Sequence, residues 1–337
     1  MGSMRFFPLY LLMALTGGCQ TTDSWEDLEG RHIANVRQLT FEGPRSGETY
    51  FSPDGTKIIY MAIRDGYPFF RIYEMNADGT GQRLIGPEKG KQTCPYYSPD
   101  GKKILFASTH LDPELDRKER EALEEAKKPY EKRRRSYKWD FDEAYEIFEM
   151  NIDGKSLRRL TEAPGYDAEC SYSPDGKKIL FTSQRDGDLE LYVMNVDGSE
   201  PRRITNAKGY DGGPFFSPDG SRIIFRADRT GDDRLQIFVI GADGSGEEQL
   251  TNNGVVNWGP FFHPDGKRII FATSRHGHVN YELYLLDLES HALERVTYWE
   301  GFDGLPAYSP DGRRLIWTSR RGKGGHASHV FIADWID

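Results

Sequence analysis

Cysteine is scarce in this 337-residue chain: Cys19, Cys94 and Cys170 are the only three, and no two of them stand in a C-x-x-C spacing. That excludes a disulfide-stapled scaffold and a metal site of the paired-cysteine type. Long apolar runs are missing too. The apolar stretch Phe6 to Leu15 is too short to cross a bilayer, and a mean hydropathy of −0.67 excludes a polytopic membrane protein. Positive charge is in deficit, with 44 Lys and Arg against 53 Asp and Glu and a net charge of −9. Nonspecific nucleic-acid binding needs a basic footprint that this balance does not supply. Local signatures of chemistry are also lacking: no Gly-x-Ser-x-Gly, no His-Glu-x-x-His, no phosphate-cradling Gly loop followed by Lys-Ser/Thr, no dinucleotide fingerprint. A site assembled from distant segments stays open.

What is present begins with a targeting segment. Arg5 precedes the short apolar run, which has the length of a signal-peptide core, and Leu15-Thr16-Gly17-Gly18-Cys19 follows. Small residues ending in cysteine resemble the bacterial lipobox, which implies signal cleavage over residues 1–19 and a lipid on Cys19. Thr16 departs from the Leu or Val usual at that place, so an ordinary secretory signal cut near Gly18 is the alternative. By the same resemblance, Gln20 after the cysteine favours the outer membrane. Residues 20–34 are polar and are expected to form a tether.

From Val36 onward the chain is a repeat. Ser-Pro-Asp-Gly begins at Ser52, Ser98, Ser173, Ser217 and Ser309, with His263-Pro264-Asp265-Gly266 as a variant. The spacing is 44–46 residues, apart from one gap of 75 that holds an insertion over residues 109–142. Each unit reads as four short strands joined by tight turns, in which Pro presets φ and Gly supplies a positive φ. The third unit shows it: Glu169–Ser173, Lys178–Ser183, Leu189–Met194 and Arg202–Thr205. A four-stranded antiparallel unit repeated at this period predicts an all-β fold, a six-bladed β-propeller over residues 35–337. The last unit stops at its third strand, and Val36-Arg37-Gln38-Leu39-Thr40 supplies the missing fourth from the opposite end of the chain.

The recurring Ser-Pro-Asp-Gly-Lys-Lys-Ile, Ser-x-Arg-Asp-Gly, Leu-Tyr-Val-Met-Asn-Val-Asp-Gly and Arg-Arg-Ile-Thr segments resemble the TolB-type β-propeller repeat family over nearly the whole chain from Val36. The resemblance implies the fold, but not one activity, since related propellers serve as binding modules, as gates in peptidases and as some lyases. The family's namesake has an α/β domain ahead of its propeller, and too few residues precede Val36 here for one. Nor is a hydrolase domain expected after the propeller.

The Pro-Asp-Gly and Asn-x-Asp-Gly turns share one uniform face, whereas the second-to-third-strand loops and the connections between blades share a variable face, where function is expected. Three groups of candidates lie there. The insertion should carry a helix, N-capped at Asp112-Pro113, ending near Lys128 and bearing an apolar stripe of Leu115, Ala122, Leu123 and Ala126. The basic cluster Arg133, Arg134 and Arg135, with Tyr137 and Trp139, is a candidate partner-docking arm or lid. At the channel mouth, Asp167, Asp211, Asn257 and Asp303 stand at equivalent offsets, with Glu48 and Glu169 further in. Their oxygens are candidates for a Ca²⁺ or a polar ligand, or for bonding loop backbone. His276, His278, His326 and His329 fall in loops of neighbouring blades and are candidates for a transition metal, or are ordinary surface histidines. Cys94 and Cys170, offset by one position on adjacent first strands, are expected on different faces as two thiols.

These features favour a non-catalytic envelope protein, a monomeric propeller that docks a protein or polymer partner through its variable face. The alternative is a metal-assisted lyase or hydrolase acting on an oligosaccharide or peptide at the channel mouth.

Overall fold

The computed structural model describes residues 23–128, 141–322 and 326–337. Six four-stranded antiparallel sheets stand around one axis. Blade three runs Asp167–Tyr172, Lys178–Ser183, Glu190–Asn195 and Arg202–Arg203. The other blades repeat this plan, with first strands nearest the axis. Second strands have neighbours on all sides, which is why they read as continuous apolar runs rather than alternating ones. Ile58-Ile59-Tyr60, Ile104-Leu105-Phe106, Ile179-Leu180-Phe181 and Ile223-Ile224-Phe225 are all 0% exposed. Each such side chain contributes ~1.5–3 kcal/mol through burial.

The Ser-Pro-Asp-Gly signature has a physical cause. Ser52, Ser98, Ser173, Ser217 and Ser309 each donate a 2.6 Å hydrogen bond to the turn Asp and accept a 2.9 Å bond from the N–H that opens the second strand. The turn glycines sit at φ of +69° to +73°. They also interlock: a Cβ on Gly176 would touch Pro99 at 3.7 Å, and one on Gly220 would touch Pro174 at 3.6 Å.

The ring closes as the repeat predicts. The strand Ile33–Gln38 pairs antiparallel with His329–Trp335, and Leu39 N–H donates to Val330 O at 2.8 Å. Part of the segment expected to be a tether is folded onto the ring. Residues Trp25–Glu29 form a helix capped by Ser24, and Glu29 is buried against Arg321 of blade six.

A second recurrent device ties the end of each fourth strand back to the third strand of its blade. A threonine after the fourth strand accepts the N–H of the third strand's second residue, as Thr161 does from Ile147, Thr205 from Leu191, Thr251 from Ile237, Thr297 from Leu283 and Thr40 from Val330, all at 2.9–3.0 Å. Blade one has Gly86 at that place. There Gln92, from the next blade, reaches in and accepts the Ile72 N–H at 3.1 Å. A Cβ on Gly86 would lie 2.1 Å from Gln92 Oε1. Restoring the threonine with Gly86→Thr should therefore cost about 1–3 kcal/mol by overpacking, and Gly86→Thr with Gln92→Ser should recover most of it. Urea melts check this, and additive losses would refute the exchange.

The insertion also departs from expectation. Its helix spans Leu115–Lys127 with Glu114 at the N-cap, while Asp112 closes the preceding turn by accepting the Glu114 N–H at 2.8 Å. Of the expected stripe Leu115 is buried, Ala122 is half-buried, and Leu123 and Ala126 are exposed. Charge holds the helix instead. Lys118 bridges Asp112 (2.7 Å) and Asp142 (2.8 Å), Lys91 reaches Asp142 at 2.9 Å, and Tyr67 of blade one bonds Glu119.

Candidate functional site

Four residues before each Ser-Pro-Asp-Gly serine, and before His263, the first strand carries a bulge in the left-handed conformation. Glu48, Cys94, Glu169, Gly213, Gly259 and Leu305 occupy this position with φ from +47° to +60°. Four of the six are not glycine, a conformation that costs L-residues energy. The register shifts at each of these bulges. The bulge turns the residue toward the axis, so one ring of six positions faces one chamber of about 30 Å³, room for about one water.

Two residues further on, Tyr50, Tyr96, Phe215 and Phe261 meet across the axis, with ring centroids 5.1–6.0 Å apart. Blades three and six put Ser171 and Ala307 there, so four rings fill the space that six could not share. This plug separates the chamber from a funnel of about 340 Å³ on the uniform face, rimmed by the six turn prolines.

Within the chamber Glu169 is the most heavily bonded group. It accepts from Tyr210 Oη at 2.8 and 2.9 Å, from Gly213 N–H at 2.5 Å, from Thr182 at 3.2 Å, from Tyr166 at 3.3 Å and from Arg226 Nη2 at 3.1 Å. Gly213 makes room for this pair, since a Cβ there would lie 2.0 Å from Arg226 Nη1. Phe141, at the end of the insertion, covers Tyr166 and Tyr210 at 5.3 and 5.2 Å. Glu48 accepts from Thr93 at 3.3 Å. Burial pushes its carboxyl up from the ordinary value, and Cys94 and Arg226 partly hold it down. Glu48 and Glu169 thus do come together on the axis. Arg226 and the aromatic plug were missed in the sequence, although the glycines at 213 and 259 and the residue type two before each serine carried the signal.

The outer ring of carboxylates has a different role. Asp167, Asp211 and Asp303 are 0–1% exposed, wedged between blades, and face arginines: Arg185 at 3.0 Å, Arg229 at 3.2 Å and Arg321. Asn257 donates to Gln236 at 2.9 Å. These four side chains hold seams and do not converge on the channel mouth as ligands, because the bulge that turns position 48 or 169 inward lies beyond them. Among the described residues no three His, Cys, Asp or Glu side chains are grouped to hold a metal ion.

The histidine set is likewise dispersed. His276 bonds Tyr284 Oη at 2.8 Å, and His278 and His326 are exposed. His329 is not in a loop. It opens the third strand of blade six opposite Ser319, is buried, and lies 3.5 Å from Thr40 Oγ1. Cys94 and Cys170 are free thiols that line the same chamber rather than different faces, with Cys170 Sγ 3.9 Å from Cys94 O. The left-handed bulge at Cys94 interrupts the alternation on which that expectation stood. Cys19, Arg133, Arg134, Arg135, Tyr137 and Trp139 lie outside the described residues.

The family described as the TolB beta propeller domain matches residues 184–258 and 247–333. An uncharacterized protein of Agrobacterium fabrum is 31% identical over 133 residues, 40% of this chain and 34% of that protein. The chain therefore spans about a third of that relative's length. Among solved structures, a putative TolB from Agrobacterium tumefaciens aligns with a TM-score of 0.62 at 20% identity, covering 91% of this chain and 99% of that one. An oligogalacturonate lyase from Vibrio parahaemolyticus aligns with a TM-score of 0.53 at 16% identity, covering 85% and 76%. At these identities the structural likenesses establish the fold.

Proposed function

Because the chain is a six-bladed β-propeller of TolB-type repeats, we propose that it is a non-catalytic envelope protein that docks a protein or polymer partner through its variable face. One observation carries this reading: four aromatic rings close the axis, and the chamber behind them has room for about one water. An oligosaccharide or peptide has no place there. The groups that would serve a lyase or hydrolase, the aspartates and His276 and His329, are engaged in seams, hydrogen bonds and the closing strand. A partner is then met on a surface. The variable face offers the insertion helix, with Leu123, Glu124 and Lys127 in solvent, and the exposed tips Leu111 and Val279. The basic cluster Arg133–Arg135 with Tyr137 and Trp139 extends the same insertion in sequence. The signal-like leader and Cys19 support export and a lipid anchor, with Gln20 favouring the outer membrane.

Two variants test the proposal in the cells that make the protein. Cys19→Ser should move the chain from the membrane to the soluble fraction. Replacing residues 110–143 by a short turn like Arg185-Asp186-Gly187 should leave the melt of the ring near that of the parent while removing its crosslinked partner species. An unchanged crosslinking pattern in the trimmed ring would sink the docking proposal, and membrane retention of Cys19→Ser would sink the anchor.

A further inference from the structure

Four seams between blades place a pair of polar side chains at one register: the first residue of a third strand, and the first-strand residue six before the next blade's turn. These are Glu146 with Asp167, Glu190 with Asp211, Gln236 with Asn257, and Glu282 with Asp303. The threonine of the seam donates to the first member, as Thr205 does to Glu190 at 2.6 Å and Thr297 to Glu282 at 2.6 Å. Its own oxygen is already taken by a backbone N–H. One hydroxyl proton cannot serve two carboxylates. In the seam between blades four and five amides answer the problem directly, Asn257 donating to Gln236 at 2.9 Å.

Counting charge separates the other three. Between blades two and three, Glu146 and Asp167 face Arg159 and Arg185, two acids against two guanidinium ions. Between blades three and four, the buried Glu190 and Asp211, with Glu247 at the solvent edge of the seam, face Arg203 and Arg229. Between blades five and six, Glu282, Asp303 and Glu29 face Arg295 and Arg321. Each of these two seams has three acids for two cations. Glu162 and Asp186, each 3.8 Å from a seam arginine, are largely solvated and lie outside the count. Asp211 shows the deficit in its bonding. Both its oxygens are buried without a hydrogen-bond donor, and Arg229, 3.2 Å away, gives its bond to Glu247 at 2.8 Å.

We infer that the Glu190–Asp211 and Glu282–Asp303 pairs each hold one proton at neutral pH, which makes both seams charge-neutral and makes the propeller's cohesion fall in alkaline medium. Burial, with the second carboxylate beside it, pushes Asp211 and Glu282 each up to about 8. An acid that holds its proton more firmly in the folded ring than in the unfolded chain adds stability at low pH. That stability drains away as pH rises from the unfolded value, about 4, through the folded one.

The test is a set of thermal melts between about pH 6 and about pH 9 on the parent and on Asp211→Asn, Glu282→Gln and Asp167→Asn. The first two variants should show a smaller fall in Tm with pH than the parent and should melt above it at the alkaline end. Asp167→Asn, taken from the balanced seam, leaves Arg185 unmatched and should melt below the parent throughout. The inference is overturned if Asp211→Asn and Glu282→Gln behave as Asp167→Asn does. It is equally overturned if both fail to fold, since an amide pair already serves at Gln236 and Asn257.

Discussion

Truncated to begin at Phe41, the chain should fail to form a closed ring, eluting as aggregate and giving no cooperative melt, whereas a chain beginning at Asp23 should melt sharply as a monomer. The strand Ile33–Gln38 is the whole outer edge of blade six. Its loss removes the buried side chains of Ile33 and Leu39, 2% and 3% accessible, and with them a burial contribution of ~1.5–3 kcal/mol each. It removes Thr40 Oγ1 from the buried Val330 N–H, about 1–3 kcal/mol for an orphaned donor. It also deletes Glu29, which ties the N-terminal helix to Arg321 at 2.9 Å. Together these approach the whole stability of an ordinary domain, about 5–15 kcal/mol. The uncovered edge of His329–Trp335 then offers a row of unpaired backbone groups to other chains. Size exclusion and circular dichroism decide the matter. A soluble monomer melting within a few degrees of the longer chain would show that closure by this strand is dispensable.

How far such features can be read from sequence depends on whether their cause is local. The Ser-Pro-Asp-Gly turn was legible because serine, proline, aspartate and glycine each act within five residues of one another. The closing strand was legible because a missing Arg-Arg-Ile-Thr element and a spare Arg37-Gln38-Leu39-Thr40 element match in kind. The structure adds the reason the match works: Gln38 Nε2 bonds Thr40 O at 2.7 Å as Arg203 Nε bonds Thr205 O at 2.7 Å. The site was not legible to the same degree, because it depends on pairings between blades. Asp167, Asp211 and Asp303 have the right residue type for a ligand ring. Only the arginines eighteen residues later, brought back by the hairpin, reveal that they are engaged. The axial chamber was hidden for another reason. Two glutamates, a cysteine and a leucine, Glu48, Glu169, Cys94 and Leu305, have only a positive φ in common, and beyond the two acids the glycines at 213 and 259 were the visible trace of it. The insertion helix misled by its composition: Leu123 and Ala126 look like a stripe, but Lys118 between Asp112 and Asp142 sets the face that docks.

Arg321→Ala should be the most damaging single substitution at a seam, costing about 3–5 kcal/mol in urea unfolding. Its side chain is 6% exposed and serves two carboxylates at once, Glu29 (4% exposed) and Asp303 (0%). Removing it leaves two buried carboxylates without a cation, with only neutral donors to answer them, Trp317 Nε1 to Asp303 at 2.9 Å and the Tyr298 N–H to Glu29 at 2.8 Å. Arg229→Ala is the informative comparison. Arg229 also faces two acids, Asp211 and Glu247, but Glu247 reaches solvent and the Glu190–Asp211 pair already holds a proton near neutral pH, with Asp211 pushed up to about 8. Near neutral pH Arg229→Ala should therefore cost clearly less than Arg321→Ala, and the difference should narrow with rising pH, because Asp211 must then ionise without its cation. Tryptophan fluorescence gives a second readout. The Arg321 guanidinium lies 5.3–6.0 Å from the rings of Trp317, Trp25 and Trp299. Water entering the seam of Arg321→Ala should move the emission to the red in the folded protein, before any denaturant is added. Equal losses for the two variants, with no change in emission, would mean that the seam between blades five and six is no more dependent on its cation than the others.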